Sequence, residues 1–340
     1  MSEIELQHQN NYLNGAVIET VYFGGGTPGL LEVEELQQMI HALQSKFNIN
    51  PSAEITLEAN PDDVTDKKLS SWKQLGINRL SIGIQSLFYE DLQWMNRVHN
   101  AAQAKTVIDK ARAAGFENFT VDLIYGIPEL TDERWQYNLD WVIQQGITHL
   151  SCYALTVEPK TPLHKLIATQ QKKDVDAAQQ SCQFVQLMNT MQAAGFEHYE
   201  ISNFAKHGHR SKHNSSYWHG VSYLGLGPSA HSFNGTSRQW NVANNQQYIQ
   251  SLKHNKIPFE LELLTPTQQL NEYIMTSLRL MEGCNLELIA EKFGADKMMQ
   301  LQREAERFVH LNWLKEENFH LILTNEGKLF ADRVAGDLFF

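Results

Sequence analysis

The stretch Tyr22-Phe23-Gly24-Gly25-Gly26-Thr27-Pro28 is the most informative in this chain, because an apolar strand runs there into three glycines and then a helix start. Glycine accepts positive φ and lets the backbone approach a ligand closely, and a helix start offers unpaired N–H groups. The pattern predicts a turn that holds a small polar molecule by its main chain. A tight turn without a ligand is the alternative that this stretch alone leaves open.

Composition limits the class of protein. The 340 residues are 42% hydrophobic and 20% charged, so the chain can bury a large core. The first fifteen residues are polar and no apolar run has membrane-spanning length, which predicts a cytoplasmic protein without stable membrane insertion. A net charge of −11 argues against nucleic acid as a partner. The three cysteines are far apart, which argues against a disulfide framework and a CxxC-type metal site: Cys152, Cys182 and Cys284.

Short apolar, β-branched runs alternate along the chain with amphipathic patterns of helical period. The runs predict strands at 20–23, 54–57, 79–84, 119–124 and 149–155, with a further one at 199–201. The helical patterns lie at 33–47, 66–75, 101–114 and 132–145. Glycines 76, 115 and 146 end the last three of these. Repeated strand-helix units predict an α/β protein with a parallel sheet, either closed toward a barrel or open and doubly wound.

Polar residues recur where each predicted strand ends. They are residues 24–27, Glu58 with Asn60, Gln85 with Ser86, Asp122, and Tyr153 with Thr156. The carboxyl ends of the strands of a parallel barrel share one face, so these side chains are expected around one cavity. Taken singly, Glu58 could cap a turn, Gln85 could satisfy a loop backbone, and Asp122 could pair with an arginine.

The expected cation of this cavity is Arg97, twelve residues after Gln85. Arginine typically binds a carboxylate through two hydrogen bonds. Glycine backbone, two carboxylates, an amide and an arginine suit an amino-acid zwitterion that carries a sugar.

Seven segments, in order and over nearly the whole chain, carry a resemblance to a known family. They are YFGGGTP (22–28), LEANP (57–61), GIQS (83–86), NRVH (96–99), VDLIYGIP (121–128), SCYAL (151–155) and HNSSYW (213–218). Together they resemble the radical S-adenosylmethionine proteins related to oxygen-independent coproporphyrinogen III oxidase, in particular their haem chaperone branch. The resemblance implies a three-quarter (β/α)6 barrel that lacks its first strand here, followed by a small, mainly helical C-terminal domain.

The resemblance also implies the ligand contacts. Gly25, Gly26 and Thr27 would line the amino and carboxylate end of S-adenosylmethionine. The nucleoside and methionine parts would contact Glu58, Gln85, Arg97 and Asp122, and the pocket would be closed by Ala154 and the neighbourhood of His231. The segment that the haem chaperone branch ties to haem is here His213, Asn214, Tyr217 and Trp218.

This chain departs from the family pattern in one respect. Family members carry an early CxxxCxxC loop whose thiolates hold a [4Fe-4S] cluster, and the three cysteines here do not have that spacing. We therefore expect no cluster ligands in this chain. The preferred interpretation is a start codon assigned downstream of the true one, with Met1 inside the first barrel helix; the alternative is a short form without radical chemistry.

Histidine is concentrated after the last predicted strand of the barrel, where six of the fourteen histidines lie between 198 and 231. Neutral imidazole is a common ligand of haem iron or zinc, and Tyr217 with Trp218 could offer a flat apolar surface to a porphyrin. The same two aromatics could equally be core residues, and the histidines of the loop could be a solvated surface.

Strand-helix alternation stops after residue 240, which predicts a barrel with its haem-motif extension at 1–240 and a linker at 241–262. The C-terminal domain, 263–340, is expected to hold helices at 267–281, 286–293 and 297–311, a hairpin at 313–323 and a last helix capped by Thr324. That pattern resembles a winged helix, and in an acidic chain it is expected to pack or bind a protein partner.

The leading prediction of function is a haem chaperone that passes haem to acceptor proteins and has an S-adenosylmethionine pocket. Two alternatives stay open: radical decarboxylation of coproporphyrinogen III, and a cluster-free binding module without turnover.

Overall fold

The computed structural model describes residues 3–340, and its largest sheet has seven strands. They are β1 Ile18–Phe23, β2 Ile49–Ala59, β3 Arg79–Gln85, β4 Phe119–Tyr125, β5 His149–Ala154, β6 Glu197–Glu200 and β7 Asn203–Ala205. Neighbours follow the order β1-β2-β3-β4-β5-β7-β6. From β2 to β5 the pairing is parallel, whereas β7 pairs antiparallel with both β5 and β6. The predicted place of Met1 lies outside the described residues.

Helices connect these strands, as the alternation predicts. They are α1 Glu3–Gln9, α2 Val33–Lys46, α3 Asp66–Gln74, α4 Tyr89–Trp94, α5 Ala101–Ala113, α6 Asp132–Gln144, α7 Pro162–Ala168 and α8 Ala177–Ala193, with a 3-10 turn at Pro28–Leu30. Gly76, Gly115 and Gly146 follow α3, α5 and α6 at φ +89°, +83° and +62°, in the left-handed region that ends helices. The predicted helix ends are therefore confirmed.

Side-chain alternation along the strands separates an apolar face from a polar one. In β4, Val121 and Leu123 are fully buried on one face, whereas Asp122 and Ile124 are half-buried on the other. Asp122 pairs in register with Ser151 of β5. The sheet thus carries its polar side chains on one face, close to the carboxyl ends of its strands.

The rest of the chain forms two small three-stranded sheets and further helices. It holds α9 Lys212–Trp218, β8 His231–Phe233, β9 Ser237–Asn241, α10 Asn245–Lys253, β10 Phe259–Leu263, α11 Pro266–Leu278, β11 Cys284–Asn285, α12 Leu286–Phe293, α13 Ala295–His310, β12 Leu314–Glu317, β13 His320–Leu323 and α14 Ala331–Asp337, with a 3-10 turn at Gly327–Phe330. The strand orders are β10-β9-β8 and β11-β13-β12. From α11 to β13 the elements follow the winged-helix order, as predicted, and Oγ1 of Thr324 accepts the N–H of Gly327 at 2.9 Å.

The chain divides into two compact units, each discontinuous in sequence. The first unit contains the chain up to Val21, Glu32–Glu54 and Ser211–Phe340; the second contains Tyr22–Leu31 and Ile55–Arg210. The segment predicted as a linker, 241–262, holds α10 and most of β10. The domain boundaries at 240 and 262 stay a prediction.

Two buried carboxylates hold distant segments of the first unit together. Glu5 of α1 accepts hydrogen bonds from Nδ2 of Asn241 at 2.6 Å, from N–H of Gly227 at 3.0 Å and from the hydroxyl of Tyr248. Glu54 of β2 accepts bonds from the first backbone N–H groups of α9. Each buried carboxylate is thereby hydrogen-bonded, as its burial requires. In residues 3–340 no helix is long and apolar enough to span a bilayer.

Candidate functional site

The three glycines of the turn after β1 differ in their surroundings. A Cβ on Gly24 would overlap the ring of Tyr22 and lie 2.6 Å from Oε1 of Glu58, so a larger residue there would displace one of these two side chains. Gly25 has φ +82°, a left-handed conformation that favours glycine. A Cβ on Gly26 would meet open space. The turn therefore leaves room beside residues 25 and 26, next to a carboxylate.

Tyr22, Glu58 and Asp122 form an electrostatic cluster in the second unit. The hydroxyl of Tyr22 donates to Oε1 of Glu58 at 2.6 Å, and Ser81 donates to Oδ2 of Asp122 at 3.2 Å. Burial, and to a smaller extent the charge of Glu58, raises the pKa of Asp122 to about 7, although the hydrogen bonds from Ser81 and Ser151 oppose the shift. Burial and the neighbouring Glu58 also raise the pKa of Tyr22 well above its ordinary value. Asp122 therefore exchanges its proton near neutral pH.

The end of β3 is held in an unusual conformation. Gln85 is buried and has φ +66°, which costs free energy for a residue other than glycine. A Cβ on Gly83 would lie 2.7 Å from Nε2 of Gln85 and 3.2 Å from Oδ1 of Asn60. The glycine at 83 thus makes room for two amide side chains at neighbouring strand ends.

Arg97 lies on a partly exposed loop anchored by His99. The Nε2 atom of His99 is 3.0 Å from the carbonyl of Ile84, and its Nδ1 is 3.7 Å from Asp62. Partial burial lowers the pKa of Arg97, whereas the charges of Asp122 and Asp62 raise it. The structure therefore brings the predicted cation into the electrostatic range of the predicted carboxylate.

The end of β5 contributes the next side of the cluster. Ala154 is half-buried and pairs in register with Tyr125 of β4, and Tyr153 is 45% exposed. Its hydroxyl is the more enclosed part of the side chain, and burial of that group, followed by the charge of Asp122, raises the pKa of Tyr153. Thr27 lies before the 3-10 turn at Pro28–Leu30 and accepts the N–H of Leu30 through its carbonyl at 3.0 Å.

The haem-motif residues lie in the first unit, on and beside α9. Ser211 caps α9 by accepting the N–H of Asn214 at 3.2 Å, and Glu54 accepts the N–H of His213 at 3.0 Å. Nδ1 of His213 is 2.8 Å from Oγ1 of Thr20. Burial lowers the pKa of His213 to about 4, against the charge of Glu54, so the imidazole is neutral at pH 7.

Aromatic rings continue from His213. Its ring contacts Tyr217 edge-on at 4.9 Å, and Tyr217 contacts Tyr223 at 4.5 Å. Tyr217 is 41% exposed, and the guanidinium of Arg279 lies 4.9 Å from the ring of Trp218. The ring of Tyr217 thus presents an aromatic surface to solvent beside a neutral histidine.

His231 also lies in the first unit, exposed at the start of β8, where its ring stacks on Trp240 at 6.2 Å. Its predicted part in closing the S-adenosylmethionine pocket stays a prediction. The sequence analysis did not identify three residues that position these side chains. Tyr22 donates a hydrogen bond to Glu58, and Glu54 and Thr20 hydrogen-bond to His213. Of these three residues, only Tyr22 could have been found from the sequence, because strand alternation places its side chain on the same side as Gly24.

The described residues do not fit an iron–sulfur cluster. Residues 3–340 contain no group of three or more His, Cys, Asp or Glu side chains placed to hold a metal ion. Cys152 and Cys284 are buried, and burial raises the pKa of both thiols, that of Cys284 to about 12. Cluster binding requires thiolates, which this burial disfavours.

Comparison with known protein families finds two matches, one in the region of the large sheet and one in the C-terminal region. Residues 5–142 match the Radical SAM superfamily and residues 264–330 match the HemN C-terminal domain. The heme chaperone HemW of Bacillus subtilis is 32% identical over 323 residues, which cover 94% of this chain and 85% of that protein. The heme chaperone HemW of Mycobacterium tuberculosis H37Rv is 32% identical over 335 residues, covering 98% and 84%.

The solved structure of coproporphyrinogen III oxidase (HemN) from Escherichia coli, a radical SAM enzyme, superposes with a TM-score of 0.83 at 22% identity, covering 99% of this chain and 81% of that one. This likeness confirms the predicted fold: a curled, mixed seven-stranded sheet that forms a partial TIM-like barrel, with a C-terminal region of small sheets and helices. By sequence and by fold, the chain belongs to the HemW family of the HemN-related radical SAM proteins.

Proposed function

We propose that this protein is a cytoplasmic haem chaperone, which binds haem as cargo through the segment around α9 and passes it to acceptor proteins. The main observation that supports this proposal is the state of His213. Its imidazole is neutral, is hydrogen-bonded through Nδ1 and lies beside the partly exposed ring of Tyr217. Two relatives that share about a third of its residues are named heme chaperones.

His213 has the chemistry of an iron ligand. Metal-binding histidines commonly donate one ring N–H to a fixed acceptor, which orients the ring and leaves a lone pair on the other nitrogen. In the tautomer that donates from Nδ1 to Thr20, the lone pair is on Nε2. Because the pKa is about 4, proton competition for that lone pair is negligible at pH 7. Tyr217 would contact the porphyrin, while Asn214 and Trp218 complete the motif.

The test is titration of the purified protein with hemin, followed by the Soret absorbance. We expect His213→Ala to lose the Soret shift that accompanies histidine ligation and most of the affinity, and Thr20→Val to weaken binding while keeping the histidine. His219→Ala is the matched control, because His219 lies exposed just after the same helix, with Nδ1 2.7 Å from the carbonyl of Ser215. Unchanged spectra in His213→Ala, with a wild-type melting curve, would refute the ligand assignment.

Transfer needs a separate measurement. Excess apomyoglobin gives the passive rate at which bound hemin is lost, and that rate does not depend on apomyoglobin concentration. Transfer to a purified apo-acceptor from the same cell should be faster than this rate and should rise with acceptor concentration. Conversion of coproporphyrinogen III in a reductant-containing assay would instead favour the oxidase alternative.

We also propose that the cluster at the strand ends of the second unit binds S-adenosylmethionine. The supporting observations are the open glycine turn at Gly25 and Gly26, the strained Gln85, and Arg97 in electrostatic range of Asp122. Thr27, Glu58 and Ala154 border the same strand ends. The bound molecule would supply a sulfonium centre, and the protein residues would orient it. A [4Fe-4S] cluster stays a prediction from the family, without ligands among the described residues.

This part of the proposal is tested by calorimetric titration with S-adenosylmethionine. Glu58→Gln keeps the shape of the side chain and the acceptor for Tyr22, but it removes a charge. We expect a large loss of affinity with little change in melting temperature. Full retention of affinity would contradict the assigned pocket and leave the haem proposal untouched.

A further inference from the structure

Strand β10 (Phe259–Leu263) is an exposed edge of a small sheet in the first unit. The sheet order β10-β9-β8 leaves β10 with β9 as its strand neighbour on one side. Within residues 3–340, no backbone hydrogen bond reaches β10 from any other strand. Such an edge presents a row of donors and acceptors that can pair with another chain.

The register shows which backbone groups face outward. Val242 donates its N–H to the carbonyl of Pro258 at 2.8 Å, and Leu264 donates to Thr236 at 2.9 Å. In an antiparallel pair, bonds toward the neighbour alternate with groups that point away. The even-numbered residues therefore bond to β9, and the N–H and C=O groups of Phe259, Leu261 and Leu263 point away from it.

The same three residues expose their side chains. Phe259 is 44% exposed, Leu261 55% and Leu263 74%, and alternation places all three on one face of the strand. Glu260 and Glu262 lie on the other face, where Glu262 accepts from Nε2 of Gln268 at 2.8 Å. The edge thus combines open backbone groups, an apolar strip and two acidic side chains.

Charge decides which occupant suits this edge. If a second copy paired antiparallel, with the pairing centred on residue 260, 261 or 262, a glutamate would lie directly opposite a glutamate. Like charges at opposed positions destabilise strand pairing, and the net charge of −11 adds long-range repulsion. A segment with lysine or arginine at those positions would place opposite charges there instead.

We propose that β10 is a docking edge for an extended segment of another protein, in which apolar residues alternate with lysine or arginine. The segment would add a fourth strand next to β10, with its main chain bonded to residues 259, 261 and 263 and its apolar side chains against the exposed strip. The proposal is independent of haem binding and of the S-adenosylmethionine pocket.

The test uses the full chain and the fluorescently labelled heptapeptide Lys-Val-Lys-Val-Lys-Val-Lys, with Glu-Val-Glu-Val-Glu-Val-Glu as its charge control. Leu261→Pro is the key variant. Its lost N–H points away from β9, so the inner ladder stays paired, and every charge of the protein is kept. We expect it to weaken binding of the lysine peptide about tenfold or more, and we expect the glutamate peptide not to bind the wild type.

Glu260→Lys provides the second variant, because Glu260 is exposed and its change reverses the charge on the strand. It should weaken binding of the lysine peptide and improve binding of the glutamate peptide. Amide hydrogen exchange should show slower exchange at 259, 261 and 263 in the presence of the lysine peptide. Equal affinity of wild type and a folded Leu261→Pro variant would overturn the proposal, and so would a dimer that Leu261→Pro dissociates.

Discussion

Replacement of Asp122 by asparagine should stabilise the protein, and the gain should grow with pH. The carboxyl group lies on the polar face of β4, near Glu58, and burial raises its pKa from 3.8 to about 7. A raised carboxyl pKa means that the folded state binds the proton more tightly than the unfolded state does. Stability is therefore lost as the pH rises from about 4 through 7, because over this range the unfolded state has released the proton that the folded state still holds.

The size of the effect follows from the two pKa values. With 3.8 unfolded and about 7 folded, the difference in proton binding lowers the free energy of unfolding by about 4 kcal/mol at pH 8 and by about 2 kcal/mol at pH 5. Asparagine keeps an acceptor for the hydroxyl of Ser81 and carries no charge. The stability difference between Asp122→Asn and wild type should therefore widen by roughly 2.5 kcal/mol between pH 5 and pH 8.

Urea denaturation at pH 5, 6, 7 and 8, followed by circular dichroism, measures this difference directly. Asp109→Asn serves as the control, because Asp109 is exposed on α5 and its replacement makes the same chemical change at the surface, where a small stability difference is expected. A gap between Asp122→Asn and wild type that stays constant from pH 5 to pH 8 would refute the assignment of a raised pKa.

The glycine turn and the end of β3 give two further predictions. Gly26→Ala should leave the melting temperature nearly unchanged, since its Cβ meets open space, but it should weaken S-adenosylmethionine binding; Gly24→Ala should lower both, because its Cβ would collide with Glu58. Differential scanning fluorimetry with and without S-adenosylmethionine separates these outcomes. Equal melting temperatures of the two variants without ligand would contradict the different roles assigned to Gly24 and Gly26. Gln85→Gly should change stability by less than about 1 kcal/mol, because relief of the φ +66° strain offsets the added freedom of the unfolded chain, yet ligand affinity should fall. A Gln85→Gly variant with wild-type affinity would show that the strained conformation does not serve binding.

Local signals in the sequence predicted most of the large sheet. The strand predicted at 79–84 is observed as Arg79–Gln85, and the helix predicted at 132–145 as Asp132–Gln144. Apolar runs with β-branched residues mark buried parallel strands, and the glycines after the helices mark their ends. These features depend on a few neighbouring residues, so they can be read without knowledge of distant contacts.

Strands built from polar residues could not be predicted from apolar patterns. The strand predicted at 199–201 is instead a hairpin of Glu197–Glu200 and Asn203–Ala205. In this hairpin Glu200 is buried, and its Oε2 accepts a hydrogen bond from Nδ2 of Asn203 at 2.6 Å. Strand β9 buries Ser237, Gln239 and Asn241 instead of apolar side chains. Burial of such residues is stable only when partners from elsewhere satisfy their hydrogen bonds, and the local sequence does not show those partners.

Contacts that position a side chain from a distant part of the sequence could not be predicted either. The backbone N–H of His213 bonds to Glu54, 159 residues earlier, and its ring to Thr20, 193 residues earlier. The sequence suggested His213 through its motif, but it did not indicate what orients the imidazole. The neutral state of that histidine follows from its burial in the folded chain.

Ligand charge connects the proposed pocket to the proton on Asp122 and yields one last prediction. S-adenosylmethionine carries a sulfonium and an ammonium cation, and a cation near a carboxylate favours its ionised form. Because Asp122 has a pKa of about 7, binding at pH 7 should release about half a proton per ligand. Calorimetric titration in two buffers with different ionisation enthalpies gives this number from the difference in observed heat. Asp122→Asn cannot lose that proton, so its heat of binding should be the same in both buffers apart from other groups. Equal proton release by wild type and Asp122→Asn would mean that the bound cation does not act on Asp122, and the pocket would then have to lie away from the end of β4.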